Sequence, residues 1–363
     1  MSVYSDLFYN GDNLGFRNFV HCAFFRNFAF MKRYIYITLA IAFALIGCKR
    51  EKRYADLSGI DFDIKIERFD SAFWGLDTTR VAEEFARLVA EHPNITPIYT
   101  ENVVRFGAPD AEITHQTYKY FRRDSAVQLL YNDALRIYAD VSDIERDLTT
   151  AFRRARYFLP QFTTPRIYCH VSGLNQSLII DETFMSLSID NYLGEEYPLY
   201  KQIGIYKYQR PNMRREKVAS DYITAWLTSE FSTSLANNLL TDIIHRGKIL
   251  YTVSVLLPET PEYVIMGYSK AQWDWVKKNE STMWETLVYT KDLYTTNMIT
   301  KNKYINDGPF TLPFTQESPG RAGVWIGWQI VESYMRHNPE ISIQQLLQQP
   351  DAQVILNNSN YRP

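Results

Sequence analysis

Apolar and polar positions along this chain follow two periods, and the helical one dominates. From Asp61 onward, Phe62, Ile64 and Ile66 take every second position of FDIKIERFD (62–70), the period of a half-buried strand. Residues 77–91 place Val81, Phe85, Leu88 and Val89 at helical spacing, with Asp77 or Thr78 positioned as a cap and His92-Pro93 as the stop. Residues 94–115 show no period. Residues 125–158 read as two or three amphipathic helices: Ile144, Leu148, Phe152 and Ala155 form one stripe, and Pro160 and Pro165 end it. PRIYCHVSGL (165–174) is apolar and β-branched, and SLIIDETFMSLSID (177–190) reads as its partner in a hairpin or short sheet. Helical patterns return at 215–240, 241–257, 270–290, 320–337 and 341–349, punctuated by Pro258, Pro261 and a loop over 302–319. The expected fold is α+β and mostly helical, a single domain over 59–363 with a small sheet packed against helices.

Ahead of that body the pattern changes. Lys32 and Arg33 precede an apolar run from Tyr34 to Ile46, then Gly47 and Cys48. A basic stretch, a short apolar stretch and a small residue describe a secretory signal. A membrane span needs about 20 apolar residues and only about 13 stand here before Lys49 and Arg50. Leu45-Ile46-Gly47-Cys48 resembles a lipobox, which makes residues 31–47 a signal peptide and Cys48 the acylated first residue of the mature chain. Residues 1–30 then read as a leader upstream of the true start, Met31, and 48–58 as a tether. Two or three acyl chains such as palmitate anchor a protein firmly without a spanning helix. The residues just after Cys48 are basic, which favours the periplasmic side of the outer membrane over surface export.

Charge and cysteines narrow the function classes. Taking away the residues before Cys48 leaves 35 basic against 39 acidic residues, so nucleic acid is not an expected partner. Of three cysteines only Cys169 lies in the body, which excludes a disulfide framework and a cysteine zinc finger. Cys169 and His170 are adjacent on one strand and point to opposite faces. There is no P-loop, no G-x-G-x-x-G and no G-x-S-x-G. Glu67, Asp70 and the acids of 181–196 are candidates for a cation, without the spacing of a calcium loop. The 26 Tyr and 7 Trp suit a large aromatic core; a glycan-binding surface would need several of them exposed in a row.

SPGRAGVWIGWQIVESYM (318–335) is the densest motif. Ser318 suits a helix cap and Pro319 a first turn. Val324, Trp328, Val331 and Met335 form one stripe. Gly320, Gly323 and Gly327 lie on another face and ask for a second backbone close by, since each costs about 1 kcal/mol against alanine in a helix. Arg321 calls for a carboxylate partner.

That run, with LLTDIIHRGKILYTVSVLLPETPE (239–262), the Gly267-Tyr268 and Trp284-Glu285 segment and DAQVILNNSNYRP (351–363), resembles the GldB family of gliding-motility lipoproteins of the Bacteroidetes. Ser318, Pro319, Gly320, Arg321, Gly323, Trp325, Gly327 and Trp328 carry the most specific part. The resemblance implies a lipid-anchored envelope protein whose partners are the membrane and other gliding, secretion or assembly components. More distantly the family resembles predicted zinc peptidases, which implies a zincin-like, degenerate metallopeptidase architecture. Those enzymes carry His-Glu-x-x-His on a helix. The corresponding segment here, 218–236, has Asp221 and Glu230 but no histidine, and Arg246 stands before Gly247 where a third ligand belongs. The expectation is therefore no cofactor, no metal and no enzyme activity. The alternative is a hydrolase with a non-standard site near Glu230, His245 and Glu332.

Overall fold

The computed structural model describes residues 53–175, 178–231 and 238–363. The leader, the signal segment, Cys48 and the start of the tether lie outside the described residues. Four strands, β1 (Ile66–Glu67), β2 (Arg166–His170), β3 (Leu178–Ile180) and β4 (Phe184–Ser188), form one sheet in the order β1-β2-β4-β3. β2 lies parallel to both β1 and β4, while β3 runs antiparallel to β4 on the edge. The expected pairing of 165–174 with 177–190 is thus two pairings. The hairpin forms inside the second segment, where the Asp181 N–H donates to the Phe184 carbonyl at 3.0 Å. β4 is buried at all five positions and β2 at four, so Ser186, Ser188 and His170 lie inside along with the apolar residues. The alternation at 62–66 does set burial, with Ile64 and Ile66 inside, but only two residues join the ladder.

Before the sheet's main strands come α1 (Phe69–Trp74), α2 (Val81–Glu91), α3 (Glu112–Phe121), α4 (Ser125–Ile137) and α5 (Ser142–Phe158). α2 starts at Val81, later than its sequence suggests. The Asp77 carboxylate is engaged by the Thr79 N–H at 2.8 Å in a local turn, so it caps nothing. Residues 94–115 are also more ordered than their pattern. Ile95–Ile98 is helical and runs into a π-helical turn at Tyr99–Val103. α3 was hidden because its buried face is Thr114, His115 and Tyr118, polar or amphipathic types that leave no apolar period. An aromatic cluster fills this half of the core: Phe73 meets Tyr99 at 4.8 Å between ring centroids, and Trp74 stacks on Tyr131 at 4.2 Å.

After the sheet follow α6 (Val218–Glu230), α7 (Leu239–Leu256), α8 (Lys270–Lys278), α9 (Glu280–Thr290), α10 (Met298–Ile305), α11 (Ala322–His337), α12 (Ile343–Gln348) and α13 (Ala352–Asn358). α10 occupies the start of what read as a loop from 302, and α13 most of the tail motif. α7 and α11 are buried on nearly all sides and pack backbone to backbone. A methyl group on Gly247 would stand 2.5 Å from the Gly327 carbonyl carbon, and one on Gly323 2.9 Å from the Tyr304 oxygen. The close approach that the glycines ask for comes from three places: α7 against Gly327, α10 against Gly323, and Gly308 of the loop after α10 against Gly320.

The start of α11 corrects one expectation. Arg321 adopts a left-handed φ of 59°, so the helix begins at Ala322 and Ser318 cannot cap it. The cap comes from elsewhere: the Ala322 N–H donates to the Thr311 hydroxyl at 2.9 Å, and that hydroxyl donates to the Pro319 carbonyl at 2.7 Å. Ser318 instead accepts from the Thr311 N–H at 3.0 Å and closes the loop.

Candidate functional site

A concavity lies where β4 ends, beside the first turn of α6 and the entrance of α11. Its rear wall is set by Asp190, which is fully buried just past β4. Its carboxylate accepts from the Leu174 N–H at 2.7 Å, from the Ser172 N–H at 3.1 Å and from the Ser188 hydroxyl. Burial raises its pKa, and these donors pull the other way. The effect is mechanical: one carboxylate ties the loop after β2 to the turn after β4 and so fixes Leu174, Asn191 and Tyr192.

Those three residues, with Tyr208, Asn212, Lys217, Asp221, Asp307 and Arg321, line a cavity of about 430 Å³. Its charged groups are engaged with one another. Lys217 Nζ pairs with Asp221 at 2.8 Å and also donates to the Ile265 carbonyl at 3.3 Å. The Tyr192 hydroxyl donates to the other Asp221 oxygen at 2.9 Å, and burial pushes that phenol's pKa well up. Arg321 meets Asp307 at 2.8 Å and donates to the Met266 carbonyl at 2.6 Å. Gly267 closes this corner with φ of 78°; a methyl group there would stand 2.8 Å from the Arg321 guanidinium. The carboxylate that Arg321 calls for is thus Asp307, on the loop after α10.

Of the motif residues, only Arg321 lines this cavity. Trp325 lines a second one of about 390 Å³, with Glu280, Glu332, Arg336 and Tyr361. Trp328 is fully buried, and Ser318, Pro319, Gly320, Gly323 and Gly327 build the helix entrance and its packing. Glu230 ends α6 and is exposed. His245 sits on α7 with its pKa pulled down to about 4 by burial and by the Lys248 and Arg246 cations. Glu332 is on α11. Neither Glu230 nor His245 lines the cavity that Glu332 lines. Among the described residues no three His, Cys, Asp or Glu side chains stand together as metal ligands.

Two of the cation candidates, Glu67 and Asp70, sit in ion pairs, while Asp190 is held by N–H and hydroxyl donors. Glu67 takes Arg166 through two 2.7 Å bonds, and Asp70, 1% exposed, takes Arg68 at 2.7 Å. Cys169 lies beside Asp70 at 3.2 Å, and burial, then that carboxylate, drives the thiol well above its ordinary pKa. The cavity itself was missed in sequence because Asn191, Asn212, Lys217 and Asp307 come from separate loops and helix ends. The one local signal was Asp190, an acid closing an apolar run.

No helix among the described residues is long and apolar enough to cross a membrane. No curated protein and no solved structure matches the chain. Residues 50–363 match the family described as gliding motility protein GldB, and the chain belongs to that family.

Proposed function

We propose that this protein is a non-catalytic component of the gliding or secretion machinery, held at the cell envelope by acyl chains on Cys48. In this reading residues 31–47 are removed, 1–30 precede the true start, and 59–363 form one body facing the periplasm from the outer membrane. The body keeps a helix-on-sheet frame of the zincin-like kind without its metal ligands. One observation carries the reading: each charged group of the central cavity is held by a neighbour, Lys217 by Asp221 and Arg321 by Asp307. These groups act as braces, and the described residues that line the cavity include no His, Cys, Ser or Thr to serve as a nucleophile.

Work then falls to the surface. Val288, Tyr289, Tyr294, Met298 and Ile299 stand exposed within one short stretch around the α9–α10 connection, Tyr289 at 89% and Ile299 at 72%. The Leu239 N–H at the start of α7 bonds to Thr295 inside that stretch. At the other end of α7, the Arg154 guanidinium bridges the Val255 carbonyl and the Arg53 carbonyl, where the tether enters. The exposed stretch is therefore about 24 Å along α7 from the tether, while residues 48–52 reach at most about 18 Å. An apolar patch so placed suits a partner protein of the envelope.

The test is complementation in the native host. Cys48→Ser is expected to leave the chain unprocessed and to abolish rescue of protein secretion and colony spreading. Full rescue by that variant would overturn the anchor.

A further inference from the structure

We propose that the cavity beside Arg321 binds a neutral saccharide unit, with Tyr208 as its stacking platform. This goes beyond the scaffold reading and does not depend on it.

Charge limits the class of ligand. The two cations of the cavity, Lys217 and Arg321, are each matched by a carboxylate at 2.8 Å. An anionic ligand such as a peptide carboxylate or a phosphate would have to displace Asp221 or Asp307 to gain anything. A neutral polar ligand leaves both pairs intact.

The remaining lining supplies hydroxyl-binding chemistry. Asn191, Gln209 and Asn212 bring three side-chain amides to the cavity, each able to donate and to accept. Sugar hydroxyls do both as well, so neighbouring hydroxyls match an amide group. The Asn191 amide nitrogen is buried at the cavity wall and has no hydrogen-bond partner among the described residues.

Aromatic surface is the third element. The rings of Tyr206 and Tyr208 lie nearly parallel, 11° apart with centroids at 5.5 Å. Tyr208 lines the cavity, and Tyr206 is 65% exposed beside it. A phenol ring offers an apolar face with a polar edge, and a pyranose presents C–H groups from its own flat faces. The volume of about 430 Å³ lies in the range of small-ligand sites and admits about two sugar rings.

The experiment uses the full lipidated chain in a detergent without a sugar headgroup. Diacetylchitobiose, maltose, cellobiose and mannobiose are titrated by saturation-transfer NMR and calorimetry. At least one is expected to bind saturably. Tyr208→Ala and Asn212→Ala should each weaken it about tenfold, with the melting curve unchanged. Tyr208→Phe should keep binding, which separates loss of the ring from loss of the fold. The proposal is overturned if none of the four binds at about 10 mM, if binding survives both alanine variants, or if a tripeptide with a free carboxylate displaces the sugar.

Discussion

Arg321 illustrates how single residues decide this structure. Its left-handed backbone shifts the start of α11 to Ala322, and its guanidinium braces Asp307 and the Met266 carbonyl. The helix entrance then depends on Thr311, from the loop after α10. Thr311→Val keeps the volume and removes both hydroxyl bonds. It is expected to cost about 1–3 kcal/mol in a urea titration, the range for losing a cap and a buried hydrogen bond. His245 gives a pH prediction. Its folded pKa of about 4 lies below the ordinary 6.5, so from pH 6.5 down to 4 the unfolded chain takes up the proton first. Stability from this group is therefore full above pH 6.5 and is lost as pH falls toward 4. His245→Gln should flatten the fall in urea midpoint across that window; an unchanged slope would remove His245 as its source. At this scale the sequence revealed that Arg321 needs a carboxylate and that the glycines need a neighbour. It could not name Asp307 or Thr311, because both partners arrive from a loop with no period of its own.

The element that organises the C-terminal half is the α7–α11 pair. Here glycine acts as a spacer between backbones. Alanine normally favours a helix over glycine by about 1 kcal/mol. At Gly327 the new methyl group would collide with the Ile243 carbonyl, which backbone cannot yield cheaply. Gly327→Ala is therefore expected to destabilise by at least about 1–3 kcal/mol, read as a lower melting temperature; a neutral or stabilising result would mean the helices separate at little cost. Elements were legible where the buried face is apolar and regular, as in α5, α7 and α11. They were not where polar groups face inward, as Thr114 and His115 do in α3. The two-residue β1 shows the opposite limit: the alternation is right, but pairing stops after Glu67, where α1 begins at Phe69. The order of the sheet was not legible either, since a parallel β2–β4 pair with β3 outside it depends on contacts across the chain.

Among the described residues the charges of the cavity beside Arg321 are paired, and the α9–α10 connection leaves a stretch of apolar side chains exposed. Replacing Tyr289 and Ile299 by serine removes that surface without touching the core. The double variant is expected to melt like the parent, to stay anchored and to fail in secretion and colony spreading; full rescue would reassign the patch to no function. The proposed function gives this GldB-family chain a peptidase-like frame without peptidase chemistry. The most direct test is metal content and peptide cleavage measured on one preparation of the purified full-length protein. The expected result is no stoichiometric metal and no cleavage. One tightly bound zinc per chain, with cleavage lost on its removal, would contradict it.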